Sequence, residues 1–276
     1  MKVFRSTEGK EKIQNYYNSI INTLPLTQKY VDTTFGQTFI LDAGNPETPA
    51  VILLHGSCSN SAAWLADLPA LCNFYHVYAV DLPGEPGNSI DTRLDFNADD
   101  YPRWLNEVLD ALEEKKAIII GNSMGGWLAL QFAATFPERT TALALLAPSG
   151  LILPKQDFID QTSDIASNSD TSSDTNNAVI GQAELPKEVL EFMTLIMENF
   201  IPFTGALPVL TDDQMRALQM PVFYIAGQND ITMDTKKASN RLAQFVPQAK
   251  IVLNEGQHII TSAADNIIPF LKEEVS

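Results

Sequence analysis

The stretch Gly121-Asn122-Ser123-Met124-Gly125-Gly126 decides how the rest of the chain is interpreted. It follows the apolar, β-prone run 117–120 and precedes a helical pattern that starts at Trp127. A strand, a sharp turn and a helix in that order lift a serine above the edge of a sheet. A side chain on either flanking glycine would clash in so tight a turn. The stretch therefore predicts a nucleophile at Ser123 rather than a glycine-rich turn that only joins strand to helix.

Two backbone amides are predicted to stabilise an oxyanion beside this serine. Met124 opens the helix, so its N–H lies at the positive end of the helix dipole. His55 and Gly56 end the apolar run 50–54, and we expect His55 to shape the turn there. The N–H of Ser57 is then the second candidate donor.

A serine hydroxyl is a weak nucleophile until a base removes its proton, and the chain has three histidines. His76 lies in a strand-like run and is expected to start a buried strand, while His55 is assigned to the turn described above. His258 follows the last predicted strand and lies near Gly256, which allows the chain to bend. Elimination therefore predicts His258 as the general base.

The base requires a carboxylate that fixes its tautomer and stabilises its charged form. Asp230 comes directly after the apolar run 222–226 and is the favoured candidate. Asp234 is the alternate and Glu255 a further competitor, although a carboxylate after a strand is more often a helix cap. With Asp230, the residues follow the chain order serine, aspartate, histidine that is typical of this kind of sheet.

Short apolar runs alternate with longer helical patterns from residue 50 onward. Continuous apolar strands indicate burial on both faces, and hence a mostly parallel, doubly wound α/β sheet with helices on each side. A hairpin split at Phe35-Gly36 and an amphipathic helix over 11–24 precede it. The predicted strands are 30–34, 37–42, 50–54, 77–80, 117–120, 143–147, 222–226 and 250–253, with helices at 61–72, 100–114, 124–136, 235–246 and 261–273.

An insertion interrupts this alternation and divides the chain into a core domain, 1–148 with 216–276, and a segment 149–215. Residues 162–178 are mostly Ser, Thr, Asp and Asn, so we expect them to be flexible. Leu190, Met193, Met197 and Phe200 then recur at helical spacing. This pattern favours a helical lid whose apolar face, with Met193, Met197 and Phe200, covers a pocket. The alternative is a surface insertion packed on the core.

Composition narrows the class of protein. The chain has 276 residues, 45% of them hydrophobic, and its 18 Lys and Arg against 34 Asp and Glu give a net charge of −16. Such a field repels nucleic acids and anionic membranes. No apolar run has the length of a membrane span, and Cys58 and Cys72 fit a reducing compartment. We therefore expect a cytoplasmic protein with no nucleic-acid or membrane partner, and no metal.

In four segments the chain resembles the α/β-hydrolase superfamily. These are His55-Gly56-Ser57, Asp81-Leu82-Pro83-Gly84, the turn around Ser123, and the pair Asp230 and His258. The resemblance spans 28–150 and 215–275. It implies an eight-stranded core sheet with the hairpin at one edge, a cap inserted after the sixth strand, an oxyanion hole from the Ser57 and Met124 amides, and no cofactor.

Within that superfamily the chain looks most like lid-bearing esterases and carbon–carbon bond hydrolases. The turn around Ser123 is similar to that of the carbon–carbon bond hydrolases, but these follow His-Gly with further glycines where this chain has Ser57-Cys58-Ser59. Glu85 replaces the apolar or aromatic residue of many relatives and is expected at the pocket mouth or in solvent. A haloalkane dehalogenase is excluded because its nucleophile is an aspartate.

The sequence thus predicts a serine hydrolase that cleaves a small to medium carboxylic ester through an acyl-enzyme. The same apparatus also suits a carbon–carbon bond next to a ketone, a thioester or a lactone. A third hypothesis is a hydrolase-fold protein retained for ligand binding, against which the intact set Ser123, Asp230 and His258 argues. Neither the physiological substrate nor the oligomeric state is predicted.

Overall fold

Eight strands form one sheet in the computed structural model, which describes residues 3–167 and 185–275. They are β1 (Thr27–Thr33), β2 (Gly36–Ala43), β3 (Ala50–Leu54), β4 (His76–Val80), β5 (Ala117–Asn122), β6 (Thr140–Leu146), β7 (Val222–Gly227) and β8 (Lys250–Asn254). Their order across the sheet is β1-β2-β4-β3-β5-β6-β7-β8. β2 pairs antiparallel with β1 and with β4, and every pair from β4 to β8 is parallel. The predicted sheet and its edge hairpin are confirmed.

Helices cover both faces of this sheet. They are α1 (Thr7–Ile21), α2 (Leu68–Leu71), α3 (Asp100–Ala111), α4 (Met124–Thr135), α5 (Gln156–Ser167), α6 (Lys187–Asn199), α7 (Asp212–Arg216), α8 (Thr235–Phe245) and α9 (Ala263–Glu274). Alternate residues of β3 enter different cores: Ile52 and Leu54 pack in one, Val51 and Leu53 in the other. Burial on both faces explains why the strands are continuous apolar runs. No helix among the described residues has the length and apolarity to cross a bilayer.

The helix boundaries differ most from the sequence expectation at 61–72 and at the start of the N-terminal helix. The predicted helix 61–72 is two short pieces, a 3₁₀ turn Ser61–Trp64 and then α2, because Asn60 caps the turn and a proline starts the second piece. The N-terminal helix begins at Thr7 rather than 11, since the Ser6 side chain accepts a hydrogen bond from the Gly9 N–H at 2.9 Å.

The insertion begins after β6 with α5 and continues to α6 and α7. Residues 162–167, the first part of the stretch 162–178 that is expected to be flexible, complete α5, and the flexibility itself stays a prediction. A helix already nucleated upstream adds residues at little cost, so polar composition did not end it at 162. The remainder of the predicted stretch, 168–178, lies outside the described residues.

The buried face of α6 rests on the N-terminal helix. Phe192 stacks on Tyr16 and Tyr17 with ring centroids 5.0 and 6.4 Å apart, and Ile196 is buried beside it. Leu190, expected on the buried face, is 41% exposed. The helix is rotated from the sequence expectation because the aromatic residues of α1 offer Phe192 more apolar contact than Leu190 can make.

Asp81, directly after β4, links α1 and the 3₁₀ turn to the sheet edge where the Ser123 turn lies. Its Oδ1 accepts hydrogen bonds from the Tyr17 hydroxyl (3.1 Å) and from the N–H and hydroxyl of Ser61 (2.8 and 2.6 Å). Its Oδ2 accepts from the Asn88 N–H at 2.8 Å. Because the carboxylate is buried, its removal would leave each of these donors without a hydrogen-bond partner.

Replacing Tyr17 by Phe removes only the hydroxyl from this network. We expect the free energy of unfolding to fall by about 2 kcal/mol, the typical value for a hydrogen bond to a charged acceptor. Urea denaturation measures it, with Tyr30→Phe as the matched control because Tyr30 is 54% exposed. Equal midpoints for the two variants would contradict this account of Asp81.

Candidate active site

Ser123 occupies a strained turn between β5 and α4. Its φ of 52° and ψ of −112° place a non-glycine residue in a region that L-amino acids rarely adopt. Such strain persists only where the surrounding packing enforces it, and it concentrates at functional sites. The turn predicted from the sequence is therefore present.

Close backbone approaches on both sides of the serine explain two of its glycines. A Cβ on Gly125 would lie 2.1 Å from the Leu54 carbonyl oxygen, and one on Gly121 would lie 2.3 Å from the Gly125 carbonyl oxygen. Neither distance is possible for real atoms, so any side chain would push α4 away from β3. The turn and the neighbouring strand can pack together only with glycine at these positions.

Three side chains distant in sequence meet at this turn. His258 Nε2 lies 3.0 Å from Ser123 Oγ, and His258 Nδ1 lies 2.7 Å from Asp230 Oδ2. All three follow parallel strands β5, β7 and β8 at their carboxyl ends, which lie along one edge of the sheet. The arrangement joins a hydroxyl, an imidazole and a carboxylate in one hydrogen-bonded chain, as a base-activated nucleophile requires.

The Asp230 carboxylate is almost fully buried yet held in its charged form. Burial by itself opposes ionisation, but hydrogen bonds and the charge of His258, with the Thr232 N–H at 2.7 Å, lower the pKa of Asp230 overall. Its stabilising contribution is present above the unfolded-state pKa of about 3.9 and is lost as the pH falls through the lower folded-state pKa. Asp230 therefore stays an acceptor for the His258 N–H at neutral pH.

Thr232 is a contact that the sequence analysis missed. Besides its N–H bond to Asp230, its Oγ1 lies 3.2 Å from His258 Nδ1. It supports both the carboxylate and the imidazole. No sequence pattern marks a threonine two residues beyond an aspartate as special.

The competing carboxylates have other positions. Asp234 caps α8, accepting from the Lys237 N–H at 3.0 Å, and pairs with the Lys237 side chain at 3.3 Å. Glu255 is exposed on the loop before His258. Asp230, the favoured candidate, is the carboxylate that contacts His258.

The two other histidines have the structural positions expected of them. His76 starts β4 and lies 2.7 Å from Asp42. His55 is buried after β3, where its Nε2 accepts from the Leu82 N–H at 3.0 Å and its Nδ1 lies 2.8 Å from the Gly56 carbonyl oxygen. Its ring therefore fixes the turn that leads to Ser57.

The two candidate oxyanion donors flank the serine. Met124 is the first residue of α4, so its N–H has no partner within the helix. A Cβ placed on Gly56 would lie 3.4 Å from Ser123 Cβ, which shows that the 55–57 loop runs alongside the nucleophile. This geometry leaves both N–H groups near the serine, and their role as an oxyanion hole stays a prediction.

Of the two positions expected for Glu85, solvent is wrong, and the pocket mouth stays a prediction. Glu85 is 1% exposed, and its Oε2 accepts a hydrogen bond from the Cys58 N–H at 2.7 Å. Burial, together with the charge of Glu85, raises the pKa of the Cys58 thiol to about 12, so Cys58 is no competing nucleophile. No group of three or more His, Cys, Asp or Glu within the described ranges is placed to hold a metal ion.

The insertion lies over the carboxyl edge of the sheet. Trp127 Nε1 of α4 donates to the Pro208 carbonyl at 3.0 Å, and Phe203 packs on Phe96 with ring centroids 4.4 Å apart. Of the three lid candidates, Met193 and Met197 are half-buried, while Phe200 is buried against Phe4, with centroids 5.7 Å apart. Contact of these three with a substrate stays a prediction.

Asp230→Asn tests the assigned chain of hydrogen bonds. The carboxamide can donate to His258 Nδ1 and so favours the wrong tautomer, and we expect the reaction of Ser123 with a fluorophosphonate to slow by about 10³- to 10⁴-fold. Asp234→Asn is the control, because Asn caps helices as well as Asp does. A greater loss in Asp234→Asn than in Asp230→Asn would reverse the assignment.

Comparisons with known proteins identify the family of the chain. Residues 49–187, half of the chain, match the family model described as the alpha/beta hydrolase fold. The chain is 30% identical over 257 residues to the uncharacterized carboxylesterase nap of Bacillus subtilis (strain 168), a match covering 89% of this chain and 85% of that protein. It is 25% identical over 276 residues to carboxylesterase YbfK of the same organism, covering 94% and 91%.

The crystal structure of naproxen esterase (carboxylesterase NP) from Bacillus subtilis has the same fold. Its TM-score is 0.85 at 24% sequence identity, covering 97% of this chain and 99% of that one. The family match, the similarity to nap and the strand order of the sheet lead to one conclusion: the chain belongs to the α/β-hydrolase family.

Proposed function

We propose that this chain is a serine hydrolase that cleaves a small to medium carboxylic ester through an acyl-enzyme intermediate. The observation that carries the proposal is the continuous series of hydrogen bonds from Ser123 Oγ through His258 to Asp230, at 3.0 and 2.7 Å. Those distances are within hydrogen-bond reach for proton transfer. The names of the two Bacillus relatives, both carboxylesterases, point to the same chemistry.

In the acylation half, His258 takes the proton of Ser123 as the hydroxyl oxygen attacks the ester carbonyl. Asp230 holds the imidazole in the required tautomer and stabilises its charge. The Ser57 and Met124 amides stabilise the oxyanion of the tetrahedral intermediate. His258 then protonates the leaving alcohol, and the acyl group stays on the serine.

In the second half, a water molecule replaces the alcohol. His258 removes its proton as the water oxygen attacks the acyl-enzyme, and the same amides stabilise the second oxyanion. The acid leaves when His258 returns the proton to Ser123. These steps require no cofactor.

An open apolar groove, lined mostly by residues of the insertion, is a candidate site for part of the ester. It has a volume of about 570 Å³, within the range of roughly 300–1,000 Å³ common for small-molecule pockets. Ser149, whose N–H donates to the Ser123 carbonyl at 3.1 Å, leads directly into the lining residues Leu151 and Leu153. Leu207 and Val209 of the insertion complete the apolar wall. We infer that the insertion 149–215 acts as a lid on the core 1–148 and 216–276, because it contacts the core through the Trp127–Pro208 hydrogen bond and the Phe203–Phe96 ring pair.

The partner is then a small-molecule ester, and nucleic acids and membranes are not partners because of the strongly acidic charge. The free thiols of Cys58 and Cys72 support action in the cytoplasm, where thiols stay reduced.

Hydrolysis of p-nitrophenyl esters from acetate to laurate, at about pH 8, tests the proposal. We expect turnover by the wild type and a loss of at least about 10³-fold in kcat for Ser123→Ala, since the nucleophile is removed. Ser149→Ala, beside the site, is the matched control.

A folded wild type that hydrolyses none of these esters would overturn the proposal. Vinylogous diketones, thioesters and lactones are the substrates to try next, since the same hydrogen-bonded chain serves them. Wild-type turnover that survives in Ser123→Ala would remove the serine from the mechanism.

Leu207→Trp tests the groove. The larger side chain fills space that a long acyl chain needs. We therefore expect kcat/KM for the octanoate ester to fall about tenfold and kcat/KM for the acetate ester to stay within about twofold. Leu190→Trp is the control, because Leu190 is exposed on α6. Equal losses for both esters would show that the groove takes no part of the substrate chain.

A further inference from the structure

A buried carboxylate lies behind the loop that carries the Ser57 amide. Glu85 Oε2 accepts from the Cys58 N–H at 2.7 Å, one residue after Ser57. The neighbouring Asn60 side chain donates to the Pro86 carbonyl at 2.9 Å, so the segment 82–90 also contacts this loop beside Glu85. The contact with Glu85 therefore reaches the peptide that immediately follows the proposed oxyanion donor.

The loop needs such a contact to keep its shape. Cys58 has a φ of 55°, a left-handed conformation that costs a non-glycine residue free energy. A conformation of this kind persists only where other interactions over-determine it. Fixing the Cys58 N–H fixes the Ser57–Cys58 peptide plane, and this limits how Ser57 can rotate.

Arg93 connects the same carboxylate to the insertion. Its Nε lies 3.8 Å from Glu85 Oε1, its guanidinium donates to the Ile201 carbonyl, and its guanidinium carbon lies 5.1 Å from the centre of the Phe200 ring. Ile201 and Phe200 directly follow α6. A chain of contacts thus runs from the end of α6 to the loop beside the nucleophile.

We propose that Glu85 is a positioning residue for catalysis: its carboxylate holds the Ser57–Cys58 peptide so that the Ser57 N–H faces the developing oxyanion, and Arg93 fixes the carboxylate against the insertion. This inference rests on the proposed hydrolase function. Glu85 does not touch the substrate in this account. It acts through the loop.

The energetics of the site argue against a purely structural role. Burial raises the pKa of Glu85 to about 7, although the charge of Arg93 and the hydrogen bond from the Cys58 N–H act to lower it. A folded-state pKa above the unfolded value means that stability falls as the pH rises from about 4.3 toward 7 and stays low above it. An apolar residue of similar size would not carry that cost, so stability alone does not account for a carboxylate here.

Glu85→Met and Glu85→Gln separate the hydrogen-bond acceptor from the charge. Methionine fills similar space without an acceptor, so we expect kcat for a p-nitrophenyl ester to fall by about ten- to a hundredfold with KM within about twofold, since loss of a complete oxyanion donor costs about 10²–10³. The carboxamide of Gln can still accept from the Cys58 N–H, and we expect it to restore most of kcat. Affinity for a trifluoromethyl ketone, which forms a charged hemiketal with Ser123, should fall in parallel with kcat.

Glu107→Met is the matched control. Glu107 also accepts a backbone N–H and a hydroxyl, both from Thr34, at 2.6 and 2.8 Å, but at the hairpin tip. We expect its kcat to stay within about twofold of the wild type. Unchanged kcat in a folded Glu85→Met would overturn the inference. Equal losses of kcat in Glu85→Met and Glu85→Gln would also overturn it, because they would indicate that the charge beside Arg93 matters rather than the hydrogen-bond acceptor.

Two further measurements keep the test decisive if Glu85→Met does not fold. Arg93→Lys keeps a cation but cannot reproduce the planar guanidinium contacts, and we expect a several-fold loss of kcat, whereas full activity would overturn the role of Arg93. Hydrogen exchange of the Cys58 amide in the wild type requires no substrate. We expect strong protection, and exchange as fast as in an unstructured peptide would overturn the contact itself, independently of whether the chain hydrolyses esters.

Discussion

The close packing of the Ser123 turn against β3 is the constraint on which the rest of the structure depends. Without side chains at Gly121 and Gly125, α4 can approach the Leu54 carbonyl, and the serine is forced to a φ of 52° above the sheet edge. The same approach brings the Gly56 loop to the side of the nucleophile. A proposed oxyanion site and a nucleophile thus come from one packing contact, and rigid elements rather than mobile loops set their separation.

Parallel strand order explains why the other side chains arrive at the same place. Asp230 and His258 follow β7 and β8 at their carboxyl ends, and strands that run in one direction present those ends along one edge. Local contacts then refine their positions: Thr232 bonds to both, and Asp230 is kept charged in spite of its burial. The geometry near Ser123 is therefore set by the whole sheet, and loop contacts fix the final positions of the side chains.

A second layer of buried polar groups supports this edge. Asp81 joins α1 and the 3₁₀ turn to the end of β4, and Glu85, four residues later, holds the Cys58 N–H. Both carboxylates contact backbone N–H groups that no strand or helix satisfies. Without these carboxylates the donors would be left unpaired in a dry interior. Asp81 and Glu85 stabilise loop geometry, whereas the apolar residues of the neighbouring strands stabilise the packing of the core.

The sequence by itself determined the α/β class, the edge hairpin and the turn at Ser123, and it favoured His258 and Asp230, because each depends on local periodicity or on the few residue types able to do the chemistry. Only the structure shows which of the candidate carboxylates contacts His258. The sequence misjudged what depends on non-local contact. Helical spacing put Leu190 on the buried face of α6, but Phe192 occupies the face that packs on Tyr16. The solvated alternative for Glu85 is wrong because its side chain is buried. Only tertiary structure decided these points, since burial and rotation are set by neighbours that are distant in the chain.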